Sequence, residues 1–216
     1  MAEEARVTNK QGGQSTVIGN ADPRLSDACK VWITDGSTTI VGVTGKGTTL
    51  DVSAQWNQPL QNMTPGNAAG EALQGVAQML TGMTLVTALN TRKAWTGNEP
   101  TRFNVELLLY ALKDTDKEVM QPLRALEYMI APDVGDYFAF GGEIAKALQI
   151  NFGNRIIYQH LTLDNLSVPM GGERDSQGRF VRCTVNLTMS TLTMVTKQML
   201  KQGYGVKSDY QWQANK

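Results

Sequence analysis

Between Arg102 and Ala111 apolar and polar residues alternate. Phe103, Val105, Leu107 and Leu109 fall on one side of an extended chain, with Arg102, Asn104 and Glu106 on the other. A period of two is that of a strand with one buried face. Downstream the period lengthens: Val119, Leu123, Leu126 and Met129 or Ile130 recur at three- and four-residue steps, which puts one apolar stripe on a helix. Val119, Leu123, Leu126 and Ile130 are therefore expected to pack a short helix onto the sheet. Thr115-Asp116-Lys117-Glu118 has the form of a capping box. Pro122 removes a hydrogen bond if it lies deep in a helix, so regular helix is expected from about Gln121 with the proline in its first turn. Pro132 biases Ala131 away from helical angles and ends the element.

A second alternating stretch fills the C-terminal half. Arg155 to Val168 alternates through Ile157, Leu161, Leu163, Leu166 and Val168 with a break in phase near Asp164 to Leu166, where a bulge is expected. Phe180 to Met194 alternates almost without interruption. The charged connector Gly171 to Arg179 lies between them, and the three together predict one long hairpin. In the second strand Val181, Cys183, Val185, Leu187 and Met189 oppose Thr184, Asn186, Thr188, Ser190 and Thr193. One face is core, and the other suits solvent or a neighbouring subunit.

The N-terminal part has a different texture. Met1 to Asp27 is polar, without apolar periodicity, and reads as a flexible arm. Lys30-Val31-Trp32-Ile33, Thr39 to Val43 and Thr48 to Val52 are short β-rich runs separated by Asp35-Gly36-Ser37 and Gly45-Lys46-Gly47, which predicts a β-meander with hairpin turns. It is either part of a barrel or a small attached unit. Residues 68–80 carry a helical pattern and residues 84–89 a strand pattern.

Trp95-Thr96-Gly97-Asn98-Glu99-Pro100, the strand from Arg102, Asp114-Thr115-Asp116-Lys117-Glu118-Val119 and Gln121-Pro122-Leu123-Arg124-Ala125-Leu126 follow one another. In this order they resemble the tail-tube-fold proteins of bacteriophage contractile tails, most of all the baseplate tube-initiator or adaptor rings between hub and tube. The likeness spans residues 85–196. It implies a mainly β fold with one packed α-helix (α+β): a tail-tube-like antiparallel β-barrel or sandwich with a long hairpin and an N-terminal extension. The expected division is an arm over 1–27, a meander and helical segment over 28–84, the tube-like domain over 85–200 and a tail over 201–216.

The resemblance further implies a hexameric ring around a channel that passes genome and tape measure. Hub below, tube above and a sheath initiator would be its neighbours. Its place would be the virion's tail baseplate, after assembly in the host cytoplasm. Strands of tail-tube-like proteins join edge to edge between subunits, which makes Val181, Thr184, Asn186, Thr188 and Ser190 the candidate interface; an ordinary solvated face is the alternative. The connector exceeds what a tight turn needs, so Glu173, Arg174, Asp175 and Arg179 are candidates for contact with an adjacent ring. A major tail tube subunit is one alternative. A carbohydrate-binding or wall-degrading tail module is another, and it needs an aromatic-lined groove or a catalytic acid.

Composition and chemistry narrow the field little. Lys plus Arg number 20 and Asp plus Glu number 20, so no net field recruits nucleic acid or an anionic membrane. Met1 to Asp22 lacks the apolar core of a signal peptide, and no run is long enough to span a bilayer, so no membrane anchor is expected. Cys29 and Cys183 have no partner motif and read as small buried hydrophobes. No catalytic, metal or cofactor set is expected. His160 is the lone histidine and lacks a nucleophile motif. Asp114 and Asp116 read as caps. Val43 to Thr49 does not match a phosphate loop.

Overall fold

The computed structural model describes residues 15–20, 22–57, 93–131, 146–201 and 204–206. The expected segments over 68–80 and 84–89 lie outside them. Two compact units form, Met1–Asp51 with Pro100–Lys216, and Val52–Glu99. Ten strands are found among the described residues. They are β1 (Thr16–Gly19), β2 (Lys30–Thr34), β3 (Thr38–Thr44), β4 (Thr49–Asp51), β5 (Ala54–Asn57), β6 (Ala94–Asn98), β7 (Arg102–Tyr110), β8 (Leu148–Phe152), β9 (Ile156–Ser167) and β10 (Arg182–Thr191).

In the larger unit β3, β2, β8, β9, β10 and β7 pair antiparallel in that order, and β7 returns to β3 to close a barrel. The fold is mainly β with a packed helix. Closure removes the free edges of an open sheet. Alternation then fills the interior: Val31, Ile33, Ile40, Phe103, Val105, Leu107, Leu109, Leu148, Ile150, Leu161, Val185, Leu187 and Met189 are each almost wholly buried. The predicted hairpin of β9 and β10 is present, and its bulge falls where the phase breaks, since Leu163 pairs with Met189 but Asn165 with Thr188.

The meander strands are staves of the barrel, not a separate unit. Nor are Gly45-Lys46-Gly47 a hairpin turn. β3 and β4 both lie on one edge of β7, with Thr44 opposite Leu107 and Thr49 opposite Asn104, and the glycine segment is a bulge between them. The arm also needs correction. Within it β1 runs parallel to β3, from Thr16 opposite Thr38 to Gly19 opposite Val41. Tyr204, beyond the expected domain end, packs edge-on against Tyr158 at 5.5 Å between ring centroids and donates its hydroxyl to the Gln159 carbonyl.

A π-type turn over Asp116–Met120 runs into α1 (Gln121–Ile130), with Pro122 in its first turn as expected. Val119, Pro122, Leu123 and Leu126 are buried, and α1 packs on β9, β1 and β3. Ile130 is 37% exposed; Met129 takes its place against the core. Thr115 has helical angles and makes no side-chain cap. The cap is supplied by Asp114 Oδ1, which accepts the N–H of Asp116 at 3.0 Å, while Glu118 Oε2 reaches back to the N–H groups of Leu112 and Lys113. The helix stops at Ala131, whose angles are extended. A second short helix, α2, spans Lys197–Lys201.

The smaller unit is described as the β5–β6 ribbon, in which Trp95-Thr96-Gly97 is strand. Trp56 and Trp95 face each other across it, and both are about half exposed (56% and 54%). Gln55 Nε2 donates to Glu99 Oε1 at 2.8 Å.

Candidate functional site

Alternation along β10 sends Cys183, Val185, Leu187 and Met189 inward and leaves Thr184, Asn186, Thr188 and Ser190 on the outer wall, partly or fully exposed. Val181 lies just before the strand and exchanges backbone bonds with Ala111 and Glu173. The outer wall is tied together by short polar side chains. Asn104 on β7 donates to Thr49 Oγ1 and Asp51 Oδ2 of β4, and accepts from Thr188 at 3.4 Å. Thr162 and Ser190 hydroxyls meet at 3.2 Å across β9 and β10.

Edge pairing between subunits has no free edge over Asn186 to Ser190 of β10. From Asn186 to Ser190 β10 pairs with β7 on one side and β9 on the other, so its backbone groups there are engaged within the chain, while Arg182 to Val185 pair with β7 alone. A neighbour can meet that doubly paired part only through its outward side chains. In the larger unit the outer edges of β1 and β4, which flank the seam between β3 and β7, have no strand partner among the described residues.

The connector is a folded arch. Arg174 and Phe180 form a β-bridge, and the Arg174 guanidinium stacks on the Phe180 ring at 4.1 Å while donating to the carbonyls of Gly178 and Met170. Asp175 accepts from the N–H groups of Arg179 and Gln177 and from the Arg179 side chain at 2.8 Å. The Arg179 N–H is the main reason its carboxyl is held below the ordinary carboxylate range; partial burial opposes the shift, and the Arg179 side chain and Gln177 N–H add to it. Three of the four candidate contact residues, Arg174, Asp175 and Arg179, therefore serve the loop's own shape. Glu173 is exposed and, of the four, is left to face outward.

His160 is exposed, has φ +59° and sits at a second bulge of β9, where Leu148 pairs with Leu161 but Ile150 with Tyr158. Its carbonyl accepts the Leu192 N–H. Cys183 is buried and burial pushes its thiol pKa up; Cys29, expected to be buried, is exposed. Among the described residues no group of three or more His, Cys, Asp or Glu side chains is placed to hold a metal ion, and no helix is long and apolar enough to cross a membrane.

Sequence reasoning missed Glu106. Its carboxylate accepts the Gly47 N–H at 2.6 Å, its carbonyl accepts the Gly45 N–H at 2.6 Å, and its own N–H donates to Thr48 Oγ1 at 3.1 Å. The signal was a glutamate on the polar face of β7 and a glycine pair about 60 residues earlier, a pairing that no local period reveals. No protein-family model and no curated protein matches the chain.

Proposed function

We propose that this chain is a structural subunit of a phage contractile tail. It forms a hexameric ring in the baseplate that joins the hub to the tail tube, initiates tube assembly and lines the channel for genome ejection. The observation that carries the reading is the closed antiparallel barrel with one amphipathic helix packed on it, built from the segments that bear the tail-tube resemblance. The polar wall of β10 supports it, because with Arg182 as its one charged member it carries little charge to desolvate when a neighbour covers it. The inserted unit Val52–Glu99 favours a junction ring over a major tube subunit, since a repeated subunit has little need of an appendage.

In this reading ring contacts use outward side chains of β10 together with the outer edges of β1 and β4. Those edges flank the seam where β7 meets β3, where a neighbouring copy can add to them. The connector presents Glu173 to the next ring.

Negative-stain imaging of the purified chain tests this. Sixfold rings with a central hole are expected. A monodisperse monomer at all concentrations, and in the presence of tail extracts, overturns it.

A further inference from the structure

β2 and β3 turn Val31, Ile33 and Ile40 into the barrel, which leaves Trp32, Thr34 and Thr39 on the opposite face. Across β2, Trp32 pairs with Asn151 and Thr34 with Gln149. A cleft of about 180 Å³ opens there, with Asp27 and Asn154 completing its rim. The rim is held by the β8–β9 turn. Gly153 and Asn154 both have positive φ (58° and 56°), as a tight hairpin of this kind requires. Gly153 lies so close to the Ala28 carbonyl that a Cβ would stand 3.0 Å from it, which brings Asn154 beside Asp27.

The chemistry of the lining is specific. It offers one broad aromatic surface, three side-chain amides and two hydroxyls. Its single charge, Asp27, is balanced by Lys30 Nζ at 2.9 Å, so neither an anion nor a free cation is favoured. Thr39 already donates to Thr34 at 3.1 Å. Asn151 Oδ1 is different: it is buried and, among the described residues, has no hydrogen-bond donor. A buried polar atom without a partner is uncommon and calls for an explanation. Rotation about its last torsion, a broad and nearly two-fold one, turns either amide atom toward the cleft.

We propose that this cleft is a binding site for one neutral hexopyranose ring, N-acetylated or not. The C–H-rich face of the sugar lies against the Trp32 indole, and its hydroxyls meet the amides of Asn151, Gln149 and Asn154. An aromatic floor with a few convergent uncharged donors and acceptors suits such a ligand. The size agrees: pockets for drug-sized ligands hold roughly 300–1,000 Å³, and this one takes a single ring. The site lies on the barrel wall of one chain and does not depend on the ring reading.

The test is saturation-transfer NMR on the purified full chain with glucose, galactose and N-acetylglucosamine in turn, and glycerol as a small-polyol control. Transfer to at least one sugar, and not to glycerol, is expected. Asn151→Leu should abolish it while leaving the thermal midpoint equal to or above that of the wild type, because the variant removes the unpartnered acceptor. Trp32→Phe should weaken binding several-fold while keeping an aromatic floor. Absence of transfer to all three sugars at millimolar concentration, equal transfer to glycerol, or unchanged transfer in Asn151→Leu overturns the proposal. Sugar binding by a chain that stays monomeric at all concentrations and with tail extracts would leave this site standing and sink the ring reading alone.

Discussion

Glu106 Oε2 accepts the backbone N–H of Gly47 at 2.6 Å, across the seam where β7 closes the barrel onto β3 and β4. The contact explains both glycines of the bulge. A Cβ at Gly45 would meet the Glu106 side chain at 2.5 Å, and one at Gly47 would meet Oε2 at 2.7 Å. The seam proper is only the two residue pairs Val43–Leu108 and Thr44–Leu107, so the glutamate latches a short join. Glu106→Ala should cost about 1–2 kcal/mol. Gly45→Ala should be destabilising alone and less so in the Glu106→Ala background, where the contacts with Cγ and Cδ at 2.5 Å are removed and the one with Cβ at 2.8 Å is left. A double-mutant cycle from urea midpoints that adds without coupling would show that the two residues do not meet.

Thr188 stands opposite Asn104 on β7 and Asn165 on β9. Proline there removes a ladder donor in a strand paired on both sides, so Thr188→Pro should cost about 3 kcal/mol or more and unfold the monomer. Asn186→Arg changes only an exposed side chain, and its stability should stay within about 0.5 kcal/mol of wild type. If the β10 wall is the subunit contact, rings should nevertheless fail to form. Circular dichroism melts and particle images of the two variants together separate a folding defect from an assembly defect.

Leu126 is fully buried beneath α1, whereas Ile130 at the end of the same helix is 37% exposed. Leu126→Ala should cost on the order of 2–5 kcal/mol, and Ile130→Ala about 0.5 kcal/mol or less. Equal shifts in the denaturant midpoint would mean that the helix presents a different face.

Asp175 gathers the connector through Arg179 and Gln177. Asp175→Ala should speed hydrogen exchange at the amides of Gln177 and Arg179 by about tenfold or more while the barrel amides keep their protection, because the arch opens locally. Unchanged exchange at those two amides would show that the arch is held by the Arg174–Phe180 stack instead.

Local periodicity exposed most of the barrel. β7, β10 and the face of β9 follow from alternation of Phe103 to Leu109, Cys183 to Met189 and Leu161 to Leu163, and α1 follows from Val119, Leu123 and Leu126. What it could not expose depends on pairing between distant segments. Nothing near Gly45 or Gly47 points to Glu106, and the four residues of β1 carry too little period to stand out from a polar arm. The Trp32 cleft draws on Asp27, β2, β3, β8 and the β8–β9 turn, and each contributes one or two residues with no local motif. Thr115 misled because Asp114, one residue earlier, supplies the same oxygen.

Asp35 shapes the β2–β3 turn, with Oδ1 accepting from the Thr38 N–H at 2.7 Å, the Ser37 hydroxyl at 2.8 Å and the Ser37 N–H at 2.9 Å. Burial alone would raise its pKa, but these three donors outweigh it and hold the carboxyl below its ordinary value. A carboxylate whose folded pKa is depressed stabilises above its unfolded pKa of about 3.9, and that contribution fades as pH falls through the lower folded value. Asparagine in its place keeps an acceptor but loses the charge. With allowance for solvent screening at this partly exposed turn, Asp35→Asn should cost about 1 kcal/mol at pH 7, or roughly 2–4 °C in thermal midpoint for a domain of this size. As pH falls below about 4 and through the lower folded value the two proteins should converge, because the folded aspartate takes up its proton only there and then loses the same charge. A midpoint difference that stays constant from pH 7 to about pH 3 would assign the turn's stability to shape rather than to the ionised carboxylate.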